Sequence, residues 1–81
     1  MTDDRTVHAS SADMEVIFDG KVGKWYLEPK GDLPRQRVTV MAAAEYAAWL
    51  LDRGVGQVHF GLPGGSRFDQ YVRRRYTGMD L

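Results

Sequence analysis

Residues 40–54 read VMAAAEYAAWLLDRG and are the clearest predicted helix in the chain. At about 100° per residue, its apolar side chains fall on one stripe along the helix. The stripe consists of Val40, Ala43, Ala44, Ala47, Leu50 and Leu51. Small alanines allow a helix to approach a sheet closely. The stretch therefore predicts a helix that begins at Val40 or Met41, packs on a sheet and ends at Gly54, a typical left-handed stop.

Trp49 lies outside this stripe, nearly opposite to it. Its neighbours on that side of the helix are Glu45 and Asp52, with Tyr46 and Arg53 on the flank. A large aromatic side chain in a polar arc is either covered by a second layer or offered to a partner. Trp, Tyr and Arg are also the residue types enriched in binding hot spots. We therefore expect a partner-binding surface at Glu45, Tyr46, Trp49 and Arg53.

Three explanations of the Trp49 position stay open. A later helix could cover it with Phe68 and Tyr71, a homodimer could bury it, or a protein partner could bind it. The inner face of the predicted sheet already has Phe18 and Trp25 to fill it. Because the core does not need Trp49, we favour the protein partner.

Two strands, 13–18 and 21–28, are predicted before this helix. Asp19-Gly20 between them is the residue pair that a two-residue type I′ turn prefers. This turn would place Glu15 opposite Lys24 as a pair of opposite charges. One face of the hairpin then carries Met14, Val16, Phe18, Trp25 and Leu27. The alternation predicts a half-buried hairpin whose apolar face meets the helix.

Two further strands and a second helix complete the predicted domain. Residues 36–39 and 56–60 alternate as short strands do. Ser66 with Asp69 resembles a capping box at the start of a helix over about 67–76, which should stop near Gly78. The order β-β-β-α-β-α predicts a small antiparallel α+β sheet with two helices packed on one face. The predicted core is Val16, Phe18, Trp25, Leu27, Val38, Leu50, Leu51, Val58 and Phe60.

Length and composition limit the possible classes of protein. The chain has 81 residues, no cysteine and a formal net charge of zero. It should form one domain without disulfides, with residues 1–12 as a flexible polar tail and 13–81 as a single α+β domain. No segment is apolar enough to span a membrane and the N-terminus lacks a secretory pattern, so the expected compartment is the cytoplasm.

Charge is distributed unevenly along this neutral chain. Residues 1–20 carry a net −4 and residues 53–81 a net +3. A glycine-rich turn before a helix N-terminus can hold phosphate, and arginines on one helix face can contact nucleic acid. The candidate residues for such a contact are Arg67, Arg73, Arg74, Gly64 and Gly65. A plain strand-to-helix connection and an ordinary solvated helix face, with Arg73 paired to Asp69, stay open as simpler interpretations.

No arrangement of residues in the sequence predicts catalysis, a metal site or a cofactor. His59 is the only histidine within the predicted domain, and no carboxylates stand at ligand spacing from it. Ser66 is better explained as a helix cap than as a nucleophile. We therefore expect a protein that is not an enzyme and has no catalytic or metal-binding residues.

Two resemblances bear on function. The hairpin followed by MAAAEYAAWLL resembles the second half of a double-stranded-RNA-binding domain, but that family has a basic cluster at the start of this helix. This chain has Thr39, Val40, Met41 and Ala42 there, so that function is not implied. The layout of residues 14–60 is similar to small phage-encoded inhibitors of the anti-CRISPR kind, which occlude a large host complex. The resemblance implies a protein-binding inhibitor or adaptor, with a nucleic-acid contact or a small structural homodimer as alternatives.

Overall fold

The computed structural model describes residues 4–76 of the chain. These residues form the strands and helices β1 (Arg5–Ser11), β2 (Met14–Asp19), β3 (Lys24–Pro29), β4 (Gln36–Val38), α1 (Val40–Arg53), β5 (Gly56–Val58) and α2 (Ser66–Arg75). The strands make one antiparallel sheet in the order β4-β3-β2-β1-β5. The predicted α+β class is confirmed, and the predicted order of elements is preceded by one additional strand.

This additional strand corrects the prediction of a flexible tail over residues 1–12. β1 lies inside the sheet, where Ala9 is opposite Val16 of β2 on one side and Val58 of β5 on the other. The short β5 therefore pairs with the segment that the sequence indicated as a tail. Residues 1–3 of that segment lie outside the described residues.

A bulge in β1 places two consecutive side chains in the core. The pairing register with β2 shifts between Val7 and Ala9, and both His8 and Ala9 are fully buried. A bulge adds one residue to a strand and thereby redirects a side chain. It also breaks the alternation by which a strand is found in a sequence. The expectation that His59 is the only histidine within the domain is therefore wrong.

β2 and β3 form the predicted hairpin, but the register is different. Asp19 pairs with Lys24, so the loop consists of residues 20–23. The left-handed position is Gly23, with φ 69°, and its N–H donates to the Asp19 carbonyl at 2.8 Å; Gly20 has no positive φ. Because partners move by four residues, an even number, each side chain keeps the predicted face.

The new register also changes the ionic contacts on the outer face of the sheet. Glu15 lies opposite Glu28 rather than Lys24. Two like charges in directly opposite positions repel each other. Arg5 of β1 compensates for this repulsion, because its Nη2 donates to Glu15 at 2.7 Å and to Glu28 at 3.2 Å. The additional strand thus supplies the cation that the hairpin alone lacks.

The helix α1 begins and ends as predicted. The Thr39 hydroxyl accepts the N–H of Ala42 at 3.0 Å, and Gly54 ends the helix with φ 66°. The alanines of the stripe are buried, as close packing on a sheet requires. All nine predicted core residues lie in or against the hydrophobic core. Ala9, Phe68 and Val72 complete it.

The start of α2 differs from the predicted capping box. Its N-cap is Gly65, without a side-chain cap, and Ser66 is the first helical residue. The Asp69 carboxylate instead accepts the N–H of Gly61 at 3.0 Å and so closes the turn before the helix. The predicted stop near Gly78 lies outside the described residues.

Candidate functional site

Trp49 is exposed on the outer side of α1, where 48% of its surface is accessible. Its ring stacks on Tyr46, with centroids 5.9 Å apart and planes inclined by 23°. The Arg53 Cζ lies 5.4 Å from the Trp49 ring centroid, within the range of a cation–π contact. We call these three side chains the Trp49 surface. The predicted position of Trp49 outside the apolar stripe is confirmed.

Glu45, the fourth residue predicted for this surface, is engaged within the molecule. It accepts a hydrogen bond from Arg75 at the end of α2. Because both side chains are largely solvated, such a pair is worth about 1 kcal/mol or less. A hollow of about 440 Å³ lies beside this ion pair. Its lining residues are Glu45, Ala48, Trp49, Asp52, Arg75 and Tyr76.

The explanation of Trp49 as a residue covered by α2 is wrong. Phe68 is fully buried and stacks on Trp25, with centroids 5.0 Å apart and planes inclined by only 12°. Tyr71 packs partly buried against the same core. The apolar arc of α2 thus faces the core shared by the sheet and α1, and leaves Trp49 accessible.

A second candidate site is a groove of about 970 Å³ between the hairpin end and the starts of both helices. It is lined by three cationic residues, Lys24 of β3, Arg37 of β4 and Arg67 of α2. Within residues 4–76 none of the three forms an ion pair. Asp69 also lines the groove. The groove therefore combines residues that are far apart in sequence into a mainly cationic lining.

The structure separates the arginines predicted to contact nucleic acid. Arg67 lines this groove together with Gly64. Arg73 instead lies over Phe60, with its Cζ 5.2 Å from the ring centroid. Arg74 is exposed and does not line the groove. The predicted basic stripe is therefore divided, with one member in the groove and the others elsewhere on α2.

The backbone donors of the turn before α2 are also used within the molecule. The Gly65 N–H donates to the Leu62 carbonyl at 3.1 Å, and Gly65 is buried. The Gly61 N–H donates to Asp69, and within residues 4–76 Asp69 forms no ion pair with Arg73, the simpler interpretation that the helix spacing offered. The Gly65 N–H is therefore already satisfied within the molecule and is not a free donor for the predicted anion contact.

Sequence reasoning missed Lys24 and Arg37 as members of this groove. The antiparallel pairing of β3 with β4 places Arg37 opposite Tyr26, so that Lys24, two residues before Tyr26, is its diagonal neighbour on the adjacent strand. The loop between β3 and β4 does not specify how the two strands pair. The proximity of Lys24 and Arg37 can be recognised only when both strands are assigned and their pairing register is known.

His8 is the one described titratable side chain that is fully buried. Burial lowers its pKa below the ordinary 6.5, because a charged imidazolium is disfavoured in an apolar environment. The Asp69 carboxylate and the Pro63 backbone act against this shift. His8 is therefore neutral at pH 7 and belongs to the core.

Two further findings concern the described part of the chain. Among residues 4–76, no group of three or more histidine and carboxylate side chains is arranged to hold a metal ion. Neither α1 nor α2 has the length and apolar character needed to cross a bilayer. Comparisons with protein-family models, curated proteins and solved structures find no match to this chain.

Proposed function

We propose that this chain is a non-enzymatic protein-binding module that binds its partner through the Trp49 surface. The observation that carries the proposal is the exposure of Trp49 on a helix whose core-facing side is already complete. An exposed tryptophan supplies a large apolar area that is removed from water only on binding. The residue types of the surface are those that dominate interface energetics.

The contacts of Trp49 favour tight binding for a second reason. Binding costs free energy when mobile side chains become ordered. The Trp49 ring is already held between Tyr46 and the Arg53 guanidinium, so less freedom remains to be lost. The ion pair between Glu45 and Arg75 fixes the neighbouring end of α2 beside it. We assign Glu45 to the polar rim of the interface, where it supports the surface.

The kind of partner that we propose follows from the layout of the chain. Small inhibitors of the anti-CRISPR kind resemble it in layout and act by occluding a large host complex. We therefore propose an inhibitor or adaptor from a phage or mobile element whose partner is a host protein complex. The proposed compartment is the cytoplasm, where a cysteine-free chain folds without oxidation.

An affinity capture from host lysate tests the Trp49 surface. We expect wild type to retain a specific partner and Trp49→Ala to lose most of it, because truncating a hot spot costs about 2 kcal/mol or more. Met41→Ala is the matched control, since Met41 is 51% exposed on the same helix but lies outside the Trp49 surface. Equal recovery by wild type and both variants would contradict the proposal.

A homodimer that buries Trp49 is the structural alternative. The two hypotheses predict different molecular masses for the isolated protein in solution. Sedimentation of wild type should give a monomer at high micromolar concentration. A dimer that Trp49→Ala dissociates would instead assign the surface to a second copy of the chain.

The cationic groove favours a second candidate function, a contact with the phosphates of nucleic acid. Lys24, Arg37 and Arg67 line one concavity and have no anionic partner within residues 4–76. Phosphate contacts made by such side chains displace counterions, so binding weakens steeply as salt increases. Because the net charge of the chain is zero, overall attraction to a polyanion is weak, and the contact would depend on the local positive charges of the groove.

Titrations of labelled DNA and RNA oligonucleotides over a range of salt concentrations test this second function. We expect Arg67→Ala to weaken binding and to reduce the slope of log affinity against log salt by about 1, as one lost phosphate contact does. Arg74→Ala is the matched control, because it removes the same charge from the same helix outside the groove. No binding at low salt, or equal effects of both variants, would exclude the groove as a nucleic-acid site.

A further inference from the structure

His8 lies in a cluster of aromatic side chains and has no accessible surface. Its ring centroid is 4.7 Å from that of Trp25, 5.2 Å from Phe68 and 6.4 Å from Phe18. Such an environment suits a neutral ring and is unfavourable for a charged one. His8 is thus a titratable group in a position that an apolar side chain would ordinarily occupy.

The polar atoms of this region are not satisfied. Neither His8 Nδ1 nor Nε2 has a hydrogen-bond partner of normal geometry within residues 4–76. The Oδ1 of Asp69 is also buried without a partner, whereas its Oδ2 accepts the Gly61 N–H. Buried polar groups are nearly always hydrogen-bonded, so each exception calls for a physical explanation.

The segment 61–65 covers this cluster with bare backbone. A Cβ added to Gly65 would lie 2.6 Å from the Cε1 of His8, and one added to Gly64 would lie 2.7 Å from the Phe18 ring. Within residues 4–76 no strand pairs with the segment. It is held to α2 by the Gly61 N–H, which donates to the Asp69 carboxylate, and by the Gly65 carbonyl, which accepts the Asp69 N–H at 2.8 Å. One turn hydrogen bond, from the Gly65 N–H to the Leu62 carbonyl, lies within the segment. The segment is therefore the part of the His8 surroundings that opens with the fewest broken contacts.

The charged groups around His8 are few. Among residues 4–76, Asp69 of α2 is the only carboxylate that acts on it, and His59, whose N–H donates to the His8 carbonyl, is the only other titratable side chain that does so. β2 and β3 contribute Phe18 and Trp25. The Asp69 carboxylate and the Pro63 backbone favour an imidazolium, but the burial of the ring among aromatic side chains outweighs both. A proton on His8 is therefore more favourable when water reaches the ring.

We propose that segment 61–65 is a proton-operated cover, which detaches from the sheet when His8 becomes protonated. β1 itself is held by hydrogen bonds to β2 on one side and β5 on the other, so His8 cannot leave the core by movement of its own strand. Opening the cover gives water access to the imidazolium and exposes the aromatic rings of Phe18, Trp25 and Phe68. Mild acid thereby changes the surface next to the cationic groove, which Leu62 and Gly64 of the cover also line.

Hydrogen exchange followed by NMR tests the proposal on the intact chain. The amides of Gly65 and Asp69 report opening of the cover, and Ala47 in α1 serves as the reference. An open state with an ordinary histidine pKa of about 6.5 makes the opening constant rise by up to about 30-fold from pH 7.5 to 5.0. We expect this rise at Gly65 and Asp69, after correction for the intrinsic pH dependence of exchange, and a smaller change at Ala47.

Two variants and one direct titration complete the test. His8→Phe should remove the pH dependence at Gly65 and Asp69, whereas His59→Gln should keep it. If His8→Phe does not fold, the NMR titration of His8 in wild type decides, and we expect a pKa below 6.5. The proposal is overturned by a pKa at or above 6.5, by flat protection at Gly65, or by equal loss of protection at Ala47, which indicates global unfolding.

Discussion

Phe68→Ala should lower the free energy of unfolding by about 3–5 kcal/mol, as truncation of a fully buried phenylalanine does. Phe68 has no accessible surface, stacks on Trp25 and contacts the ring of His8. It is the largest fully buried side chain and joins α2 to the inner face of the sheet. A domain of this size has a stability on the order of 4–12 kcal/mol. The variant should therefore lose about a quarter or more of the stability of the domain.

Urea denaturation followed by circular dichroism measures this loss. Phe68→Leu is the matched control, because it keeps most of the apolar volume and should cost less than about 1.5 kcal/mol. A loss below 1 kcal/mol for Phe68→Ala would contradict the packing of α2 on the sheet. It would also reopen the explanation in which Phe68 covers Trp49.

Gly64→Ala should destabilise the fold for two separate reasons. Its φ of 77° is left-handed, which costs a non-glycine residue about 1–2 kcal/mol. The added Cβ would also lie 2.7 Å from the Phe18 ring, and overpacking of this kind costs a further 1–3 kcal/mol, roughly. The ring is held by Trp25, with centroids 5.0 Å apart, and has little freedom to move away.

Gly61→Ala separates the two reasons. Gly61 has the same φ of 77°, but an added Cβ would meet nothing within 4 Å. Gly61→Ala should therefore lower the free energy of unfolding only by the cost of the left-handed conformation, about 1–2 kcal/mol. In the same urea denaturation, Gly64→Ala should therefore be the less stable of the two. Equal stabilities would mean that segment 61–65 does not lie against Phe18.

The features of the fold that could be predicted are those fixed by local patterns. The apolar stripe and Gly54 determined the position of α1, and alternation determined the faces of the hairpin. The faces stayed correct although the turn was wrong, because the register differs by an even number of residues. β1 could not be found in this way. Its bulge at His8 interrupts the alternation, and its polar residues resemble a tail.

The candidate sites also differ in whether local sequence patterns or tertiary contacts determine them. The position of Trp49 outside the apolar stripe follows from the phase of a single helix, whereas its exposure also depends on where α2 packs, which the sequence left open. The cationic groove depends on the pairing of β3 with β4 and on the packing of α2. Lys24 and Arg37 could therefore not be assigned to it from the sequence. The buried position of His8 depends on a bulge and on a loop that packs as bare glycine backbone. Neither feature has a local signature.

The most direct test of the Trp49 surface is the dissociation constant of the captured partner for wild type, Trp49→Ala and Met41→Ala. We expect Trp49→Ala to weaken binding by about 30-fold, which corresponds to about 2 kcal/mol. The dissociation constant of Met41→Ala should stay close to that of wild type. The free energies of unfolding of all three proteins should agree within about 1 kcal/mol. Equal affinities of wild type and Trp49→Ala, with both proteins folded, would contradict the proposed function.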